Sequence, residues 1–71
     1  MNWDSIAGKW KLFTGAVKQE WGQLTDDDLD YIAGTRDRLI GRLQEKYGFS
    51  KEEAERRAER WLTTQQEPVK K

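Results

Sequence analysis

Apolar side chains recur along the chain at helical spacing. Ile6, Trp10, Phe13 and Val17 lie four, three and four residues apart, with Trp3 and Trp21 near the same stripe. That pattern puts one apolar face on a helix over about residues 5–21. Asn2 or Asp4 can cap its start, and Gly22 suits a left-handed end. A short second helix is predicted over 26–33. Thr25 is its N-cap, Leu29 and Ile32 are its buried side, and Asp26, Asp27 and Asp28 crowd its first turn. The helix dipole favours negative charge there, so the acidic triplet reads as a capping cluster rather than a cation site. Gly34 punctuates, and a third helix over 35–47 carries the stripe Leu39, Ile40, Leu43 and Tyr47 before Gly48 ends it. Ser50 and Glu53 form the S-x-x-E pattern of a capping box, with Phe49 placed as a hydrophobic staple toward Ala54. The helix they start runs through Ala58, Trp61 and Leu62 to about Thr63.

A shift of 26 residues lays the chain on itself. Gly8, Gly15 and Gly22 fall on Gly34, Gly41 and Gly48, Phe13 on Leu39, Val17 on Leu43, and Trp21 on Tyr47. Each half is then a long helix, a glycine turn and a second helix. A lone pair of helices cannot bury its apolar stripe, so the two pairs are expected to pack on each other. The expected fold is all-α: a small four-helix domain of two packed helical hairpins over 1–63. The predicted core is Ile6, Trp10, Phe13, Val17, Leu29, Ile32, Leu39, Leu43, Tyr47, Ala54, Ala58 and Trp61. From Thr64 to Lys71 only Val69 can be buried, and a flexible tail is expected over 64–71.

Gly8 and Gly15 sit opposite the apolar stripe and flank Leu12. A glycine inside a helix costs about 0.8–1.0 kcal/mol relative to alanine. Two explanations are open. Another helix, of this chain or of a partner, approaches closely there, or the helix is tuned to be fragile. The possible partner-binding residues are therefore Gly8, Lys9, Lys11, Leu12, Gly15 and Lys18.

Composition narrows the function. The chain has 71 residues, so a single small domain is the ceiling. It has no cysteine and no histidine, which removes disulfides, the usual zinc sites and the Ser-His and Cys-His nucleophile pairs. No glycine-rich phosphate loop is present, and a domain this small has little room for a substrate cleft. No catalytic, cofactor-binding or metal-binding residue is assigned, and no small-molecule substrate is expected. The 13 basic residues balance the 13 acidic ones, which disfavours a binder driven by phosphate contacts. Lys9, Lys11 and Lys18 around Trp10 keep a nucleic-acid-binding module as the alternative, through phosphate contacts and base stacking. Trp3, Trp10, Phe13 and Trp21 on one face also fit a helix lying on a membrane, although a core-facing helix needs the same stripe. No run of ~18 apolar residues exists to span a bilayer, and no secretory signal is expected at the N-terminus.

The run Gly8-Lys9-Trp10-Lys11, then Gly15, the run Trp21-Gly22-Gln23-Leu24-Thr25-Asp26-Asp27-Asp28, and Gly41-Arg42-Leu43-Gln44-Glu45-Lys46-Tyr47-Gly48 together resemble the CsbD-like family of small bacterial stress-response proteins. The resemblance covers about residues 2–62. It implies a bacterial, cytoplasmic protein accumulated under general stress, with a compact all-helical fold. It implies no chemistry, because no catalytic or ligand-binding residue comes with it. Ala16 stands where a lysine often follows the second glycine, and the Gln-rich tail is this chain's own. The function expected is a non-enzymatic stress-response protein of unknown molecular activity. It would act through an unknown protein partner or as an abundant protective protein.

Overall fold

The computed structural model describes residues 2–65, and among them it contains five helices and no strand. They are α1 (Trp3–Gly8), α2 (Trp10–Glu20), α3 (Asp26–Ile32), α4 (Arg36–Tyr47) and α5 (Lys51–Thr64). The single first helix expected from the stripe is broken in two. Lys9 takes φ −124° and ψ 33°, outside the helical region, while its N–H still donates to Ser5 and Ile6 carbonyls. The break falls beside Gly8, where helix propensity is lowest. It turns α1 so that the backbone of Ala7 lies on Gly34 and Ile6 is fully buried. Of the two caps offered for its start, Asn2 does the work, its Oδ1 accepting from the Ser5 N–H at 2.8 Å.

The end of α2 also departs from expectation. Gly22 has no positive φ; the C-cap is Trp21, at φ −127° and ψ 84°. The reason is packing. Trp21 and Leu24 are both buried, and the Leu24 N–H closes a turn onto the Trp21 carbonyl at 3.1 Å, drawing both side chains inward. The second half follows its signals more closely. Gly48, at φ 72°, ends α4 and donates to the Gln44 carbonyl, and Ser50 Oγ caps α5 by accepting from the Glu53 N–H. The other half of that capping box is not made, because the Glu53 carboxylate is taken by Arg56 and Arg57. Thr64 is the last residue of α5 and Gln65 its C-cap, so the helix runs into the segment read as tail. The remainder of that segment, 66–71, lies outside the described residues.

The α4–α5 hairpin is the most extensively packed pair, with α3 lying on α4. The core differs from the predicted one in detail. Trp10, Phe13 and Tyr47 are only partly buried, whereas Trp21, Leu24, Ile40 and Leu62 join it. Three aromatic side chains surround Trp61: Trp3 stacks at 6.1 Å, Phe13 meets it edge-on at 6.2 Å, and Trp21 is tilted at 6.0 Å.

The glycines divide sharply. A Cβ built on Gly34, whose φ is +80°, would stand 2.4 Å from the Cα of Ala7. Built on Gly8, Gly15 or Gly41 it meets nothing within 4 Å. Close approach by another helix of this chain is therefore not what keeps Gly8 and Gly15 small. With no clash to oppose the gain in propensity, Gly15→Ala and Gly41→Ala are each expected to stabilise the chain by about 0.5–1 kcal/mol. Urea unfolding checks this, and a lowered midpoint in either variant would show a packing role that the open space hides.

Candidate functional site

The predicted contact residues gather around the α1–α2 junction. Gly8, Lys9, Lys11 and Leu12 line a shallow concavity with Ala7 and Trp10. Lys11, Gly15 and Lys18 line a second one with Thr14, Asp26, Leu29 and Asp30. Lys11 belongs to both, so the six residues form one continuous surface. Leu12 is its outstanding feature, 78% exposed where every other leucine of the core elements is buried.

The surface is not free cationic ground. Lys18 Nζ is 2.7 Å from Asp26 Oδ1, which neutralises it. The Trp10 indole N–H donates to the Leu29 carbonyl at 3.0 Å, and its ring is half-buried against the core. That bond fixes α2 to α3 and withdraws the one indole that base stacking would need. Lys9 and Lys11 remain exposed and enter no ion pair among the described residues. No grouping of three or more acidic side chains able to hold a metal ion occurs among the described residues, nor does any helix long and apolar enough to cross a membrane.

Sequence reasoning missed a second cluster, centred on Asp28. It is the one buried charged side chain among the described residues. Thr25 and Asp28 make a complete capping box: the Asp28 N–H donates to Thr25 Oγ1 and the Thr25 N–H donates to Asp28 Oδ2 at 2.9 Å. From α4, Lys46 Nζ reaches Asp28 Oδ2 at 3.2 Å and Arg42 Nε stands 3.5 Å from Oδ1. Asp28 thus caps α3 and ties it to α4. Thr25 and Asp28 at cap spacing, with Arg42 and Lys46 one turn apart on the neighbouring helix, were the available signal. Beside it Tyr31, 46% exposed, lies under two guanidinium groups, with Arg42 at 4.3 Å and Arg38 at 5.0 Å from the ring centroid.

The Thr25 N–H holds the Asp28 carboxyl below the ordinary carboxylate range; Lys46 adds to this, and burial opposes it. A depressed folded-state pKa contributes stability above the unfolded value and loses it as pH falls through the folded one. Asp28→Asn, which removes the charge, is expected to cost about 1 kcal/mol at neutral pH, with both cations solvent-screened. The gap to the native chain should close in acid below the ordinary Asp range. Denaturant midpoints across that range test it; a gap independent of pH would mean that the charge contributes nothing.

The CsbD-like family matches residues 4–56, about three-quarters of the chain. The chain is 54% identical over 61 residues to the UPF0337 protein ECA0631 of Pectobacterium atrosepticum, covering 86% of this chain and 88% of that protein. It is 51% identical over 63 residues to the UPF0337 protein YjbJ of Escherichia coli, covering 89% and 91%. It is 52% identical over 64 residues to the UPF0337 protein RPA4217 of Rhodopseudomonas palustris, covering 90% and 97%. With its glycine-punctuated helices aligned over most of their length to these small bacterial proteins, the chain belongs to the CsbD-like family.

Proposed function

We propose that this is a cytoplasmic bacterial stress-response protein that works without covalent chemistry, by protein–protein contact through the α1–α2 surface. One observation carries the reading: Leu12 stands 78% exposed beside Gly8 and Gly15, where open space takes the place of side chains. An apolar group on flat ground suits a partner's backbone coming close, and exposed Lys9 and Lys11 at its rim suit a partner with carboxylates there. The α4–α5 hairpin, with α3 on α4, serves as scaffold behind it. Membership of the CsbD-like family supports the stress-response part.

Leu12→Asp tests the contact. Because the side chain is already in water, stability should change by no more than about 0.5 kcal/mol. Proteins cross-linked to the native chain in stressed cells should be lost from the Leu12→Asp chain. An identical captured set from both would reject this surface as the point of contact.

A further inference from the structure

We propose that Lys9 is a hinge and that α1 is exchangeable between two copies of the chain, α1 and α2 straightening into one helix. Each α1 then docks against Gly34 and Trp61 of the second copy. Three observations converge on it.

The apolar stripe Ile6, Trp10, Phe13, Val17 runs through the break without a change of phase, so the sequence supports a continuous helix that the folded chain interrupts. The interruption leaves α2 without a side-chain cap, since Lys9 supplies none. In a straight helix the carbonyls of α1 would satisfy the first N–H groups of α2. A helix over residues 3–20 would be about 27 Å long, enough to carry α1 clear of its own body.

The seat that α1 leaves is specific. Gly34 accepts the Ala7 backbone at a distance that any side chain would block, and its φ of +80° fits it to remain glycine. Trp3 stacks on Trp61 and its indole N–H points to Glu59 Oε2 at 3.4 Å, while Arg36 holds that carboxylate at 2.6 Å. A second copy carries the same α1, so the seat fits it by identity, whereas any other partner would have to reproduce those contacts. Most of the core, from Val17 to Leu62, lies outside α1 and stays in place when α1 swings away.

Within one chain the tether presents α1 at an effective concentration in the millimolar range, so the closed monomer prevails in dilute solution. Exchange needs high concentration and a favoured hinge helix. Gly8 is already helical in the closed chain, whereas Lys9 is non-helical when closed and helical when exchanged, so Lys9→Gly disfavours the straightened form specifically.

The test refolds the native and Lys9→Gly chains at about 1 mM, in the range where the tether's advantage is matched, and sizes them by light scattering. A dimer is expected in the native chain, with a several-fold lower fraction in Lys9→Gly. In dimers of mixed carbon-labelled and unlabelled chains, isotope-filtered NOEs should join Trp3 of one copy to Trp61 of the other. Absence of a dimer in the native chain, equal dimer fractions in the two chains, or a dimer whose Trp3–Trp61 contact stays within one chain would each overturn the exchange.

Discussion

Trp61→Ala is expected to leave the chain largely unfolded at room temperature. Trp61 is 3% exposed, on the inward face of α5, and meets Trp3, Phe13 and Trp21. It therefore joins α1, both ends of α2 and the last helix. Truncating a buried tryptophan to alanine costs about 3–5 kcal/mol. Each aromatic pair lost adds about 0.5–1.5 kcal/mol beyond area. A core in a chain this short rarely supplies more than about 3–5 kcal/mol in all, so the loss consumes the whole stability. Trp61→Phe keeps a ring in place and should lower stability by about 1–2 kcal/mol, which leaves a measurable transition. Far-ultraviolet circular dichroism during a thermal melt reads both variants. A melt of Trp61→Ala that overlays the native one would remove this residue from the centre of the fold.

The second large effect is at Gly34. Gly34→Ala places a Cβ 2.4 Å from the Cα and 2.9 Å from the N of Ala7, both backbone atoms that no rotamer change can move. Its φ of +80° adds the left-handed cost of about 1–2 kcal/mol for a residue with a Cβ. Overpacking contributes about 1–3 kcal/mol more, and the cheapest relief is for α1 to lift away. The expected total is about 3–4 kcal/mol. Gly48→Ala is the internal comparison, because Gly48 shares the positive φ of 72° but has nothing within 4 Å. It should cost only the left-handed term of about 1–2 kcal/mol. Equal shifts in urea midpoint at the two positions would show that α1 is not seated on Gly34.

How much of this was legible depended on whether a signal was local. The start of α3 is set by Thr25 and the start of α5 by Ser50, each binding an N–H three residues on, and both were readable. Gly48 ends α4 for an equally local reason. Gly22 carries the same letter at the corresponding repeat position and behaves differently. There Trp21 and Leu24 are pulled into the core from either side, and that tertiary demand decides the turn. The break at Lys9 was hidden for the same reason. A stripe with constant phase gives no hint that α1 is levered onto Gly34, a residue 26 positions after Gly8. In the contact surface, the residue types around Leu12 and their outward placement were visible in the periodicity. That Lys18 is spent on Asp26 and Trp10 on the Leu29 carbonyl was not, since both partners come from another helix. Asp28 was placed in a cap and missed as a joint, because the cations that meet it lie on α4.

The seating of α1 has a kinetic side. The α3–α4 and α4–α5 contacts join segments adjacent along the chain and need only short loops to close, which favours rapid assembly. The Trp3 indole, by contrast, meets Glu59 across 56 residues. Closing so long a span yields little until the later helices are already in place. The amino-terminal turn should therefore be the last piece to lock during refolding and the first to release under heat. A chain damaged by a brief insult would recover most of its helix before that final step completes.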